Sequence, residues 1–353
     1  MQNSHDNLKV GFGSDNHSGA LPEIIAALTK CNVGHQPSYG TDEITRSVEK
    51  LILQNLGSLM GEVHFVFNGT AANVLALDCL VESHHSVLVA DSSHLYVDEC
   101  SAPEKQIGCK LIPVPSADGK LTPELLKPFV IRRGDQHFAQ VKAISITQPT
   151  ELGTVYSLAE IAELKSFAKE NKLFVHLDGA RLFNAAASLN CTLKALVEGF
   201  DVIALGGTKN GLVFGEAVVI LNSELTKDFK YRRKQAMQLP SKTRFIAAQF
   251  QALFEGGLWN KTANRVNQLA KELELKLKSI DGVKITRPTQ ANAVFAILPR
   301  EIISELRDKF FFYVWDEHTF EVRLMTTFDT TPDHVTGFVN EVERLIHNLR
   351  SKS

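Results

Sequence analysis

"DVIALGGTKNG", residues 201–211, places a lysine where the chain leaves a buried strand. Val202 to Leu205 form a short, unbroken apolar run. Such a run reads as a strand covered on both faces, the kind that parallel sheets use. Two glycines, Thr208, Lys209 and an Asn-Gly turn pair follow at once. The lysine therefore rides on a tight turn directly after the strand. A single cation in that position is ordinarily a solvated loop residue. It becomes a candidate amine nucleophile only if other parts of the chain supply its partners.

The same kind of run recurs upstream and downstream. "HFVFN" (64–68), "SVLVAD" (86–91), "CKLIPVP" (109–115), "VKAISIT" (141–147), "LFVHLD" (173–178) and "EAVVIL" (216–221) all read as buried strands. Helices with visible start signals lie between several of them. Ser157 with Glu160 forms a capping box ahead of "LAEIAELKSFAKENK", and Thr122-Pro123-Glu124 opens another helix. Seven such strands alternating with helices predict an α/β fold with a mainly parallel seven-stranded sheet covered on both faces. No helical pattern separates "DVIAL" from "EAVVIL", so these two read as an antiparallel pair.

After about residue 250 the pattern changes. A long helical stretch, "VNQLAKELELKLKSI" (266–280), leads into "VKITRP", "NAVFAIL" and "EVRLMTTF", and a last helix runs from Thr331-Pro332 to about Leu349. That order predicts a smaller C-terminal α+β domain over 251–353, behind a large domain with an N-terminal arm over 1–250.

Composition narrows the function classes. The 353 residues are 44% hydrophobic and 22% charged, with a formal net charge of −2 and no long basic run, so nucleic acid is not an expected partner. "MQNSHDNLKV" lacks the apolar centre of a signal peptide, and no apolar run approaches membrane-spanning length. Cys31, Cys79, Cys100, Cys109 and Cys191 are scattered, odd in number and without CxxC spacing. That fits reduced thiols in a cytoplasm better than a disulfide framework or a metal site.

Glycine-rich motifs for nucleotides fail: "GFGSDN" (11–16) has Asn16 where a dinucleotide fingerprint needs its third glycine, and no GxxxxGK[ST] occurs. "FNGTAANVLALDCL" (67–80) is more informative, because a strand ends, a Gly-Thr turn follows and a helix starts with small residues. Backbone N–H groups at that helix start, with the Thr70 hydroxyl, would cradle a phosphate. Alone, the same turn reads more readily as an ordinary strand-to-helix connection. In "VHLDGARLFNA" (175–185), Asp178 stands at the carboxyl end of a buried strand, where open α/β sheets bind ligands. A buried carboxylate needs a partner; Arg181 would supply it in a purely structural ion pair. Lys209 opens a second reading. Pyridoxal phosphate requires a lysine for its Schiff base, a carboxylate for its ring nitrogen and a helix start for its phosphate. All three are present, each at a strand end.

The order "NGTAAN", "SSHLYVDE", "HLDGAR", "GGTKNG" resembles the fold-type-I pyridoxal-phosphate enzymes of the β-eliminating lyase and threonine aldolase group, and within it the low-specificity L-threonine aldolases. The likeness runs nearly end to end, from "FGSDNHSGALPEIIAAL" and "GHQPSYGTDEIT" through "DQHFAQVKAISI" to "VRLMTTFDTTPDHV". It implies an aspartate-aminotransferase-like fold and a role for each matching residue. Lys209 would bond the cofactor, Asp178 would contact its ring nitrogen, His94 would stack on the ring, and Gly69 and Thr70 would bind the phosphate. Ser14, Arg181 and Arg323 would hold the substrate carboxylate, Arg181 standing beside the cofactor as well. His137 of "DQHF" matches a histidine near the substrate hydroxyl, and Tyr39 of "SYG" lies near the site from a neighbouring subunit. Where related enzymes carry an arginine that reaches a partner's phosphate, this chain has Ser241, with Lys242 and Arg244 beside it.

The implied reaction is retro-aldol cleavage of L-threonine, L-allo-threonine or related β-hydroxy-α-amino acids to glycine and an aldehyde, with His94 or His137 as base. A homotetramer built as a dimer of dimers is implied too. Two alternatives stay open: a β-eliminating lyase on the same fold, and a catalytically silent pyridoxal-phosphate-binding protein.

Overall fold

The computed structural model describes residues 10–58 and 60–351. They group into two compact units: Ala20–Asn260, and the described parts of Met1–Gly19 with Lys261–Ser353. Strand β1 (Val10–Gly11) belongs to the second unit. The larger unit contributes β2 (Glu62–Val66), β3 (His85–Ala90), β4 (Lys110–Val114), β5 (Gln140–Thr147), β6 (Phe174–Gly179), β7 (Val202–Leu205) and β8 (Glu216–Ile220). The smaller one adds β9 (Lys284–Ile285), β10 (Ala293–Ile297), β11 (Phe310–Phe311), β12 (Tyr313–Asp316) and β13 (Glu321–Met325).

The seven strands of the larger unit form one sheet in the order β2-β8-β7-β6-β5-β3-β4. Pairing is parallel from β7 through β4 and antiparallel on both sides of β8. Every residue of β7 and β8 is buried, the apolar runs as expected and Glu216 at the start of β8 with them. One apolar cluster of this unit joins Val66, Val87, Val89, Val202 and Val218 of the sheet to Leu75 and Leu77 of the helix Gly69–Asp78. The helix Leu158–Glu170 begins with the expected capping box between Ser157 and Glu160.

The smaller unit carries a four-stranded antiparallel sheet, β12-β13-β10-β9, and the parallel pair β1-β11. Its core gathers Leu273 and Leu277 of the helix Leu258–Lys278, Val322 and Leu324 of β13, and Phe338 and Leu345 of the helix Pro332–Arg350. Phe12 is fully buried there, with its ring centroid 5.1 Å from that of Phe338. This burial explains a difference from the sequence reading. The described residues from Val10 to Gly19 cluster with the C-terminal unit instead of extending the large one, and the break falls at Asn260. β11 and β12 were not expected from the sequence: "KFFFYVWDEH" is continuous with the preceding helix and carries no turn signal.

Candidate active site

Strand direction assembles the site. β2 and β7 both run antiparallel to β8, and β7 runs parallel to β6, β5 and β3. Five carboxyl ends therefore share one edge of the sheet. Asn68 to Thr70, Ser92 to His94, Gln148 to Glu151, Asp178 to Arg181 and Gly206 to Lys209 all leave from that edge.

Lys209 sits in the single turn Thr208–Asn210, half-buried. Two glycines make the turn possible: a Cβ on Gly206 would lie 2.2 Å from the carbonyl oxygen of Ala180, and one on Gly207 would lie 2.2 Å from that of Gly215. Asn210 fastens the turn from within, its Nδ2 donating to Ala180 O at 3.1 Å and Gly206 O at 3.0 Å. From the start of β8, the buried Glu216 carboxylate accepts the N–H groups of Gly207 and Thr208. Burial pushes the Glu216 carboxyl up to about 7, against those hydrogen bonds and the positive charge of Lys209.

Asp178 is 3% exposed. Its Oδ1 accepts the Ala180 N–H at 3.0 Å, and its Oδ2 accepts from Asn73 Nδ2 at 2.9 Å. Asn73 Nδ2 also donates to Glu99 Oε1 at 3.0 Å, and the same oxygen meets His94 Nδ1 at 2.9 Å. The backbone N–H of His94 donates to Glu151 Oε1 at 2.7 Å, where the Thr147 hydroxyl also donates at 3.0 Å. Glu99 holds the His94 imidazole above its ordinary pKa; burial and the charge of Lys209 oppose this, and the charges of Glu99 and Asp178 favour it. Burial raises the Glu151 carboxyl, and the neighbouring Asp178 charge adds to it. One position further back on the same face of β6, fully buried His176 shares a hydrogen bond with Ser145 Oγ at 2.8 Å and is pushed down to about 4 by burial.

The helix Gly69–Asp78 begins at the same edge. Asn68 caps it, its side chain accepting the Ala71 N–H at 2.9 Å. That leaves the N–H groups of Gly69 and Thr70 at the open first turn. A Cβ added at Gly69 would meet nothing within 4 Å, so the helix start faces open space. An open helix start, a buried carboxylate and a lysine at one edge fit the needs of pyridoxal phosphate.

Lys209, Asp178, His94, Gly69 and Thr70 are thus brought to one place, and Arg181 leaves from the same edge as the residue preceding the helix Leu182–Leu189. His137 is not. It lies in the loop before Gln140, the first residue of β5, and β5 delivers its other end to the site. Eight residues of strand span about 26 Å, so His137 lies at the other end of β5 from this chain's own Lys209 and Asp178. Tyr39 is 51% exposed in a left-handed conformation, its N–H donating to Ser241 O at 2.9 Å. Lys242 is exposed, and the Arg244 guanidinium lies 5.2 Å from the ring centroid of Phe245. Ser14 and Arg323 belong to the smaller unit. There Ser14 caps the short turn Asp15–His17, and the Arg323 guanidinium stacks on Trp315 at 4.7 Å.

Four residues escaped the sequence reading: Asn73, Glu99, Glu151 and Glu216. The first two stand inside the motifs "NGTAAN" and "SSHLYVDE", and Asn73 is a polar residue within the otherwise apolar buried run from Ala72 to Leu77. That burial pattern was the available signal. Among the described residues no group of His, Cys, Asp or Glu is placed to hold a metal ion.

The model of the beta-eliminating lyase family matches residues 11–299. The low specificity L-threonine aldolase of Pseudomonas sp. (strain NCIMB 10558) is 40% identical over 343 residues, covering 95% of this chain and 97% of that one. The solved structure of a threonine aldolase from Leishmania major superposes with a TM-score of 0.91 at 29% identity, covering 96% of this chain and 99% of the other. An aspartate aminotransferase from Rhodobacter sphaeroides 2.4.1 shares the fold at a TM-score of 0.69 and 18% identity, over 97% and 94% of the two chains. With the family model spanning most of the chain and this identity running nearly end to end, the chain belongs to the beta-eliminating lyase family, in its low-specificity L-threonine aldolase branch.

Proposed function

We propose that this chain is a pyridoxal-phosphate-dependent aldehyde-lyase that cleaves L-threonine and related β-hydroxy-α-amino acids to glycine and an aldehyde. The observation that carries this reading is the convergence of Lys209, Asp178 and His94 on one sheet edge beside the open helix start at Gly69. When bound, pyridoxal phosphate supplies an electron sink for the pair released at the substrate's Cα. Gly69 and Thr70 are assigned its phosphate, and Asp178 its ring nitrogen, whose protonated form a buried carboxylate favours. Lys209 would be the amine that links to the cofactor, and its amine when unlinked would hold or move a proton. Ser14, Arg181 and Arg323 are assigned the substrate carboxylate, the arginines offering a planar fork for a planar anion. Fixing the carboxylate decides which bond at Cα is oriented for cleavage. His94, which leaves from the same edge as Lys209 and Asp178, is assigned the β-hydroxyl proton, and His137 is assigned, like Tyr39, to a neighbour's site.

A cytoplasmic homotetramer completes the proposal, with Tyr39 and one of Lys242 or Arg244 serving a neighbour's site. Five free cysteines and an exposed Tyr39 support it, and no helix among the described residues is long and apolar enough to cross a membrane. Light scattering of the purified protein tests the assembly.

The chemistry is tested by product analysis. With L-threonine and pyridoxal phosphate, glycine and acetaldehyde are expected in equal amounts, read by an alcohol dehydrogenase assay beside an ammonia assay. Borohydride reduction is expected to fix the cofactor to Lys209. Ammonia outpacing acetaldehyde would replace the aldolase reading with elimination, and cofactor fixed to another lysine would remove Lys209.

A further inference from the structure

Behind the site runs a chain of buried polar side chains: Asp178, Asn73, Glu99, His94. Asn73 and Glu99 are each 3% exposed. Their hydrogen positions follow from chemistry. An amide nitrogen has only protons to give, so Asn73 Nδ2 donates both to Asp178 Oδ2 and to Glu99 Oε1. An ionised carboxylate only accepts, so the 2.9 Å contact between Glu99 Oε1 and His94 Nδ1 requires the proton on Nδ1. The Glu99 side chain is fully shielded, whereas that of His94 is 36% exposed. The Nδ1 edge of the imidazole is thus turned into the protein, and Nε2 is its other nitrogen. A second carboxylate fixes the backbone of the same residue, since Glu151 Oε1 accepts the His94 N–H.

We propose that Glu99 is a positioning residue for the lyase reaction: it holds a proton on His94 Nδ1 and so leaves Nε2 to accept the β-hydroxyl proton, while Asn73 ties Glu99 to Asp178. The proposal rests on the aldehyde-lyase reading given above. In the step it serves, the hydroxyl proton moves to Nε2 and its bonding pair becomes the second bond of the aldehyde carbonyl. The Cα–Cβ pair stays with the carbon that becomes glycine's, and that carbon regains one proton in the net balance. Meanwhile the imidazolium's new charge lies beside the Glu99 carboxylate, as a buried acid stabilises the imidazolium of a catalytic triad. The charged groups acting on His94 come from four elements. Glu99 follows its own short helix, Asp178 ends β6, Glu151 follows β5, and Lys209 follows β7. Lys209 favours the neutral ring and Glu99 and Asp178 the charged one.

The test compares wild type with Glu99→Gln as cofactor-loaded protein. Exchange of the histidine C2 hydrogen, followed by mass spectrometry across pH, reads the protonation midpoint of His94 without any substrate. The midpoint is expected to fall in Glu99→Gln, and the acid limb of kcat/KM for L-threonine to move to lower pH with it. A drop in kcat of at least about tenfold is expected at an unchanged KM, part of the 10²–10⁴-fold that a general base contributes. Glu99→Asp keeps the charge but withdraws it by one methylene; it should move the midpoint in the same direction and serves where Glu99→Gln does not accumulate folded. An unmoved His94 midpoint, or an unchanged kcat, overturns the proposal. A lowered midpoint with ammonia as the product upholds the Glu99–His94 link while overturning the assigned chemistry.

Discussion

Asp178 shows how much a single residue carries. Its two oxygens accept from Ala180 N–H and Asn73 Nδ2, so the carboxylate is held in place by donors on both sides. Asp178→Asn turns one of those oxygens into a nitrogen that faces a donor and removes the charge that favours a protonated ring. Activity is expected to fall by at least about 10²-fold while the far-ultraviolet circular dichroism stays native. Activity within about threefold of wild type would take Asp178 out of the reaction. Two residues earlier, His176 makes a different point. Its folded-state value of about 4 lies below the ordinary 6.5, and burial is the main cause. Between those values the unfolded chain binds a proton that the folded chain refuses. The contribution to stability is therefore fully present above pH 6.5 and is lost as pH falls toward 4. The gap corresponds to about 3 kcal/mol. In chemical denaturation, His176→Gln should lose less stability than wild type between about pH 7.5 and about pH 4.5. An equal loss in both proteins would mean that His176 is protonated inside the fold.

At the scale of elements, the turn after β7 is set by space and not by propensity. Gly206 packs its Cα against the Ala180 carbonyl, a backbone atom that cannot rotate away. Gly206→Ala is expected to destabilise by on the order of 3 kcal/mol, read as a lowered Tm, and to displace Lys209 with it. Gly69 is the counter-case at the start of the helix Gly69–Asp78, where an added methyl meets nothing within 4 Å. Gly69→Ala should change stability by less than about 0.5 kcal/mol yet weaken pyridoxal phosphate binding in a fluorescence titration. Unimpaired binding in that variant would remove the helix start as the phosphate site. The two glycines look alike in the sequence. Only the second leaves room for a ligand.

For the whole molecule, the segment from Val10 to Phe12 shares one core with the helix Pro332–Arg350. β1 pairs with β11 across the register Val10 to Phe310, and Phe12 follows into the cluster that holds Phe310, Phe312 and Phe338. Phe12 is fully buried, so Phe12→Ala is expected to cost about 3–5 kcal/mol. The loss should appear locally. Hydrogen exchange followed by mass spectrometry should speed up in β13 and the helix Pro332–Arg350, with β6 and β7 keeping their protection. Uniform acceleration across both units would mean that they unfold as one.

The strands of the larger sheet were legible in the sequence because most contain apolar runs whose burial follows from composition: β7 is wholly apolar, and β8 is so after its first residue, Glu216. The sequence by itself determined Lys209, Asp178 and the Gly69 turn for the same local reason, since each lies within a few residues of a strand end. The tertiary structure decided what depends on distant partners. Asn73 reaches Asp178 across 105 positions, Glu99 across 26 and His94 reaches Glu151 across 57, separations over which no local pattern records a hydrogen bond. A strand has two ends, and "DQHFAQVKAISIT" does not say that His137 stands at the one away from this chain's own Lys209. Strand order and direction say so, and they are fixed by which buried faces and backbone ladders can be satisfied together.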